Sequence, residues 1–212
     1  MTPPELAAAL ERGAVVLDLR PPRHFAAGHV PGAVNVQFNR ADLAERTELV
    51  LPREVEYVVH AEPEAIAVVA WKILQQARFN VAGQLAGGLR GWETEGRAVE
   101  RMRVIDVDEL RTGLDSYQVI DAREGFEYWR GHIAGAILLP SGEAWTKAEA
   151  MNSGRPLAVV CGDQVRSSLV ASILLRVGRQ AVLVIGGMVD WLEHGYPIEK
   201  ALPSEPDRRG RI

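Results

Sequence analysis

The chain has 212 residues, enough for two units of about 100 each. Its 47% hydrophobic and 25% charged residues are those of a soluble globular protein, and a net charge of −4 gives no reason to expect nucleic acid or acidic membranes as partners. A single cysteine excludes an internal disulfide framework and a multi-cysteine metal site, and it suits a reducing compartment.

In chain order, Met1-Thr2-Pro3-Pro4-Glu5 shows no basic patch running into an apolar stretch, so no signal peptide is expected. No apolar run approaches the roughly 20 residues needed to span a bilayer, and a cytoplasmic protein is the default. Periodicity predicts an amphipathic helix over 4–12 and strands over 14–19, 33–36 and 55–60. A helix over 65–77 and a strand over 81–85 follow. The second half repeats these roles: a helix over 106–114, strands over 118–122, 136–139 and 157–161, a helix over 167–177 and a strand over 181–185. Strands alternating with helices imply an α/β fold, a mostly parallel sheet flanked by helices. The polar stretch 97–103 reads as a linker. The tail 203–212, proline-rich and basic, is expected to be disordered.

The halves also share words. Val16-Leu17-Asp18-Leu19-Arg20 recurs as Val119-Ile120-Asp121-Ala122-Arg123. Gly28-His29-Val30-Pro31-Gly32-Ala33 recurs as Gly131-His132-Ile133-Ala134-Gly135-Ala136. Gly87-Gly88-Leu89-Arg90-Gly91-Trp92 recurs as Gly186-Gly187-Met188-Val189-Asp190-Trp191. Blocks in one order at near-constant offset imply a tandem duplication, with domains over 1–98 and 104–202.

The chemistry concentrates in the second copy. The strand over 157–161 ends at Cys161 and runs through Gly162-Asp163-Gln164-Val165-Arg166 into Ser167 and a helix. A lone cysteine can be a small buried hydrophobe, and such a loop can be only an anion-binding turn. A thiol facing a helix N-terminus, beside a fixed arginine charge, is instead expected to favour the thiolate. Inward N–H groups could cradle an anion or an extra sulfur. Asp163 would raise the thiol pKa if it faced the sulfur, and do nothing if it faced solvent. His29 and His132 occupy equivalent places, and their duplication favours a structural role over a catalytic one. The Asp-x-Arg pairs are expected to form charge-assisted hydrogen bonds, and Trp92 and Trp191 to pack in the core.

The Asp-x-Arg strand, the Gly-His-x-x-Gly-Ala block, the cysteine loop and the Gly-Gly-x-x-x-Trp block together resemble the rhodanese homology domain, present twice. The resemblance implies two tandem rhodanese-like domains and a sulfurtransferase in which Cys161 takes sulfane sulfur as a persulfide and passes it on. It implies Gly162, Asp163, Gln164, Val165, Arg166 and Ser167 as the substrate-binding loop, with Arg166 orienting an anionic donor. It implies a donor such as thiosulfate or mercaptopyruvate, a thiol, cyanide or protein acceptor, and no metal or organic cofactor. The six residues from Cys161 to Arg166 make a loop one shorter than in related phosphatases, which favours sulfur over phosphoester chemistry. Family loops often carry glycine where this one has Gln164, and the donor-binding arginine of larger members is missing after Arg123, with Arg130 the nearest substitute. In the first half, aligning Val58-Val59-His60 with Val159-Val160-Cys161 puts His60 in the cysteine's place, either as a base or ligand or, more simply, as the mark of an inactive domain. A non-enzymatic persulfide carrier or sensor, with the first half binding a partner, is the alternative to an enzyme.

Overall fold

The structure is a computed structural model that describes residues 1–200; the tail expected to be disordered lies outside them. The first half runs α1 (Pro3–Glu11), β1 (Val15–Asp18), α2 (Pro22–Ala27), β2 (Val34–Asn35), α3 (Leu43–Val50), β3 (Tyr57–His60), α4 (Glu64–Gln76), β4 (Val81–Gln84) and α5 (Gly88–Thr94). The second runs β5 (Arg103–Ile105), α6 (Val107–Thr112), β6 (Gln118–Asp121), α7 (Gly125–Arg130), β7 (Ile137–Leu138), α8 (Ala144–Lys147), β8 (Leu157–Val160), α9 (Val165–Arg176), β9 (Ala181–Val184) and α10 (Gly187–Glu193). The sheets have the orders β2-β1-β3-β4 and β5-β9-β8-β6-β7, and every pairing is parallel. The second order, read backwards, repeats the first and adds β5 at the edge. Beside β4 that edge position is held by Met1, whose carbonyl accepts the Ala86 N–H at 2.9 Å.

β1, β3, β8 and β9 are buried at every position, which is why they read as unbroken Val/Leu-rich runs rather than as alternating strands. The predicted strands and long helices stand within a few residues of their expected bounds. The linker does not: its last residue, Arg103, opens β5, and Glu100 exchanges two backbone hydrogen bonds with His29, both 2.9 Å. The connection is pinned to the first half rather than spanning open space.

The repeated words are fasteners. Arg20 clamps the Asp18 carboxylate and donates to the Gly28 carbonyl at 2.7 Å; Arg123 does the same with Asp121 and Gly131 at 2.8 Å. His29 stacks on Phe25 and hydrogen-bonds its carbonyl through Nδ1, and His132 does so with Tyr128, so both are structural. Trp92 and Trp191 are buried, and their indole N–H groups donate to the carbonyls of Ala98 and Pro197.

One apolar core joins the halves. Val34, Val36, Leu43 and Val50 pack in the same cluster as Leu169, Val170 and Ile173 of α9. Asn35 is the polar pin in this seam. Its Nδ2 donates to the carbonyls of Asp18 and Arg20, its Oδ1 accepts from Ser168 Oγ at 2.5 Å, and its N–H donates to Ser172 Oγ at 3.0 Å. Along β8, Leu157, Val159 and Cys161 face this shared core, while Ala158 and Val160 face a second cluster with Ile105 and Trp191. Period-two alternation thus points the thiol toward the seam. Among the described residues no helix is long and apolar enough to cross a membrane.

Candidate active site

Cys161 leaves the end of β8 fully buried, and α9 starts four residues later at Val165, two residues before the predicted start at Ser167. The early start has a local cause. Asp163 Oδ1 accepts the N–H groups of Gln164 (2.5 Å) and Val165 (2.9 Å), so its carboxylate serves amides that the helix leaves without partners. Asp163 therefore turns Oδ1 onto the loop while the residue stays exposed to solvent. The same Oδ1 lies 3.5 Å from Cys161 Sγ, and Ser167 Oγ, buried in the first turn, lies 3.5 Å away on another side.

The Gly-Gly-x-x-x-Trp block shapes the loop from behind. The Met188 N–H donates to the Cys161 carbonyl at 2.7 Å and the Val189 N–H to Gly162 at 3.0 Å, at the start of α10. Gly187 sits among these carbonyls with φ +56°, and a Cβ there would lie 2.5 Å from the carbonyl oxygens of Cys161 and Asp163. Only glycine tolerates both that backbone and that approach. With the loop carbonyls turned to α10, the polar neighbours of the sulfur are Asp163 Oδ1 and Ser167 Oγ.

Arg166 does not stand free. Its guanidinium makes a two-pronged ion pair with Glu127 of α7, at 2.6 and 2.9 Å. The pair holds the Glu127 carboxyl below the usual carboxylate range and raises the Arg166 pKa. Sequence reasoning misses Glu127, because the segment after Arg123 registers there only as the absence of an arginine. Arg130, the nearest substitute, lies over the Phe126 ring, 5.9 Å from its centroid. Gln164 is the helix N-cap, with no side-chain capping bond. Val165, Arg166 and Leu169 border a cavity of about 180 Å³ in the seam, closed on the other side by Val36, Leu49 and Val50.

These contacts correct the expected thiolate. Burial pushes the Cys161 thiol up, the Asp163 charge adds to it, and the Ser167 hydroxyl with the Ser167 and Asp163 amides only partly offset them. The net direction is upward, so the neutral thiol is favoured at rest. Asp163 goes the other way: burial raises it, but the amides of Val165 and Gln164 outweigh burial and hold it below its ordinary value.

The first half carries a second correction. Asp18 pairs in register with His60, whereas Asp121 pairs with Val160. With the equivalent aspartates as anchors, His60 matches Val160, and the cysteine's place belongs to Ala61. The alignment by apolar residues is one position out. His60 is buried with Nε2 lacking a hydrogen-bond partner, and burial depresses its pKa, so it sits neutral. Among the described residues no group of three or more histidine, cysteine or acidic side chains could hold a metal ion.

A family model described as the rhodanese-like domain matches residues 2–95 and again 106–194. The chain is 32% identical over 106 residues to a Bacillus subtilis protein provisionally named the sulfur carrier protein YrkF; the match covers 48% of this chain and 57% of that one. It therefore spans little more than half that relative's length. It is 24% identical to a Mycobacterium tuberculosis protein provisionally named the thiosulfate sulfurtransferase SseB, across 90% of this chain and 93% of that one. Similar solved structures include a rhodanese-related protein of Thermoplasma volcanium, at 33% identity and a TM-score of 0.45, over 47% of this chain and 99% of that one. A thiosulfate sulfurtransferase of Pseudomonas aeruginosa matches at 25% identity and a TM-score of 0.42, over 95% of this chain and 43% of that one.

Proposed function

The chain belongs to the rhodanese-like domain family, with two copies of the domain, and from that premise we propose that it is an enzyme moving sulfane sulfur, from a donor such as thiosulfate, to a thiophilic acceptor through a persulfide on Cys161. The observation that carries the reading is the setting of the single thiol. It lies at the C-terminal end of a central parallel strand, with Ser167 Oγ and Asp163 Oδ1 each 3.5 Å from the sulfur. Ligands of such sheets bind at that end.

The chemistry is two displacements. Cys161 gives up its proton through Asp163 Oδ1, the carboxylate oxygen in contact with the sulfur, which relays it to water. The thiolate attacks the donor's outer sulfur; a new S–S bond forms, and the donor's bond to that sulfur breaks, its electron pair leaving as sulfite when thiosulfate is the donor. A thiol or cyanide acceptor then attacks the outer sulfur of the persulfide, and the electron pair returns to Cys161. The N-terminal domain has alanine in the cysteine's place and supports α9 through Asn35. The single thiol suits a reducing compartment, and we place the reaction in the cytoplasm.

The test is steady-state transfer from thiosulfate to cyanide and to a dithiol. The wild type is expected to turn over, and Cys161→Ser to lose transfer entirely, since a hydroxyl cannot hold the sulfur. Wild-type rates in the purified serine variant would sink the assignment. A carrier role is the second reading, favoured by the complete burial of Cys161. It predicts sulfur loading with no steady turnover.

A further inference from the structure

The loop has two devices for holding an anion, and the chain's own carboxylates occupy both. Two of the amides at the start of α9 are taken by Asp163, whose Oδ1 receives Gln164 N–H and Val165 N–H. The guanidinium of Arg166 is taken by Glu127 through both nitrogens. Glu124 borders the same cavity beside Arg166. A doubly charged oxyanion approaching Cys161 would have to displace a carboxylate that its own charge repels, the exposed Asp163 on one side and the partly buried Glu127 on the other.

We propose that Asp163 and Glu127 set the donor class, turning the loop away from oxyanion donors and toward thiol-borne sulfane sulfur, an organic persulfide R–S–SH. The proposal rests on the persulfide reading of Cys161. In the step it describes, the Cys161 thiol gives up its proton and its sulfur bonds to the outer sulfur of R–S–SH. The R–S to SH bond breaks, its pair leaves on R–S, and R–S takes up the proton. The products are Cys–S–SH and R–SH, with no oxidant or reductant consumed. Such a donor brings less charge to the carboxylates than thiosulfate and asks for neither the amides nor the arginine.

The experiment compares kcat/KM for thiosulfate with that for 2-hydroxyethyl persulfide, using the full chain and one dithiol acceptor. The wild type is expected to favour the persulfide by at least about tenfold, and Asp163→Asn to move the ratio toward thiosulfate by about tenfold. Because both donors use the same Cys161, a general loss of chemistry leaves the ratio where it was. A wild-type preference for thiosulfate, or a ratio that Asp163→Asn leaves in place or moves the other way, overturns the proposal. Should Asp163→Asn fail to fold, Glu127→Gln reads the same ratio from the arginine's side: a move toward thiosulfate supports the proposal, and a fixed or opposite ratio overturns it. If neither donor adds a sulfur atom to Cys161 by intact-mass measurement, the sulfur-transfer reading itself falls, which is a different result from an unmoved ratio.

Discussion

At the scale of residues, the site turns on one thiol and the charges that surround it. A cysteine at a strand end before a helix is legible in the sequence, as is the arginine that closes the loop. What sequence spacing does not carry is that Arg166 meets Glu127, 39 residues away, and that Asp163 folds back onto its own amides. Those pairings are made by the tertiary fold, and so is the burial of the thiol, which with the Asp163 charge reverses the expected sign of its pKa. Alkylation by iodoacetamide, with one cysteine to report, should therefore show a pH midpoint above the ~8.5 of an ordinary thiol. Asp163→Asn should shift it down, because a charge that disfavours the thiolate is gone. A midpoint below the ordinary value in the wild type would contradict the geometry. The buried histidines give a second pH signature. His29 and His60 have depressed values, with burial the largest cause, so both are neutral in the fold. Their contribution to stability is present above the unfolded value of ~6.5 and is lost as pH falls through the folded values. The urea midpoint should fall as the pH drops below ~6.5, and His60→Gln, which replaces a group with an unpartnered Nε2, should flatten part of that slope. The same variant should keep sulfur transfer within about threefold, a barrier change under ~1 kcal/mol, because Ala61 and not His60 holds the position of the nucleophile. A hundredfold loss would give the first half a share of the chemistry.

At the scale of elements, the long ones are legible in the sequence and the short ones are not. β1, β3, β8 and β9 are buried at every residue, and α4 and α9 each run for three turns or more, so composition and period mark them. α2 and α7 have six residues apiece and β5 has three, too few for a period to show; a capping box holds α7, β5 pairs with β9, and α2 starts on proline with no side-chain cap. The glycine blocks are visible as repeats, but their task is not. Gly187 lets α10 approach the loop carbonyls, and Gly88 does the corresponding work with a Cβ position 3.0 Å from His60 Cε1. Gly187→Ala forces a Cβ against three carbonyls at a left-handed backbone. It should destabilise the chain by at least about 1–3 kcal/mol and depress transfer further by shifting the loop that carries the sulfur. Gly195→Ala, also at positive φ but with open space around it, should cost less and spare transfer. Equal losses of activity in the two variants at matched folded fraction would show that α10 does not shape the loop.

At the scale of the whole molecule, duplication has left one half without the nucleophile and with a supporting task. The repeat and its order can be read from the words alone; the contact between copies cannot, because residues facing a partner domain look like ordinary core. Asn35 is the clearest case, a polar residue in a two-residue strand that holds Ser168 and Ser172 of α9. Asn35→Ala leaves several buried partners unsatisfied and should cost at least about 2 kcal/mol in urea unfolding, with a fall in kcat as α9 loses its support. Full stability and full kcat would deny the first half this role. Every step of the proposed chemistry passes sulfur through Cys161, and the mass of the intact chain after incubation with a sulfane donor and no acceptor tests that most directly. The expected result is a gain of one sulfur atom on the wild type, located on Cys161 by peptide mapping, removed by a thiol and absent from Cys161→Ser. A chain that turns over donor without ever carrying that atom, or a serine variant that carries it equally, would contradict transfer through this thiol.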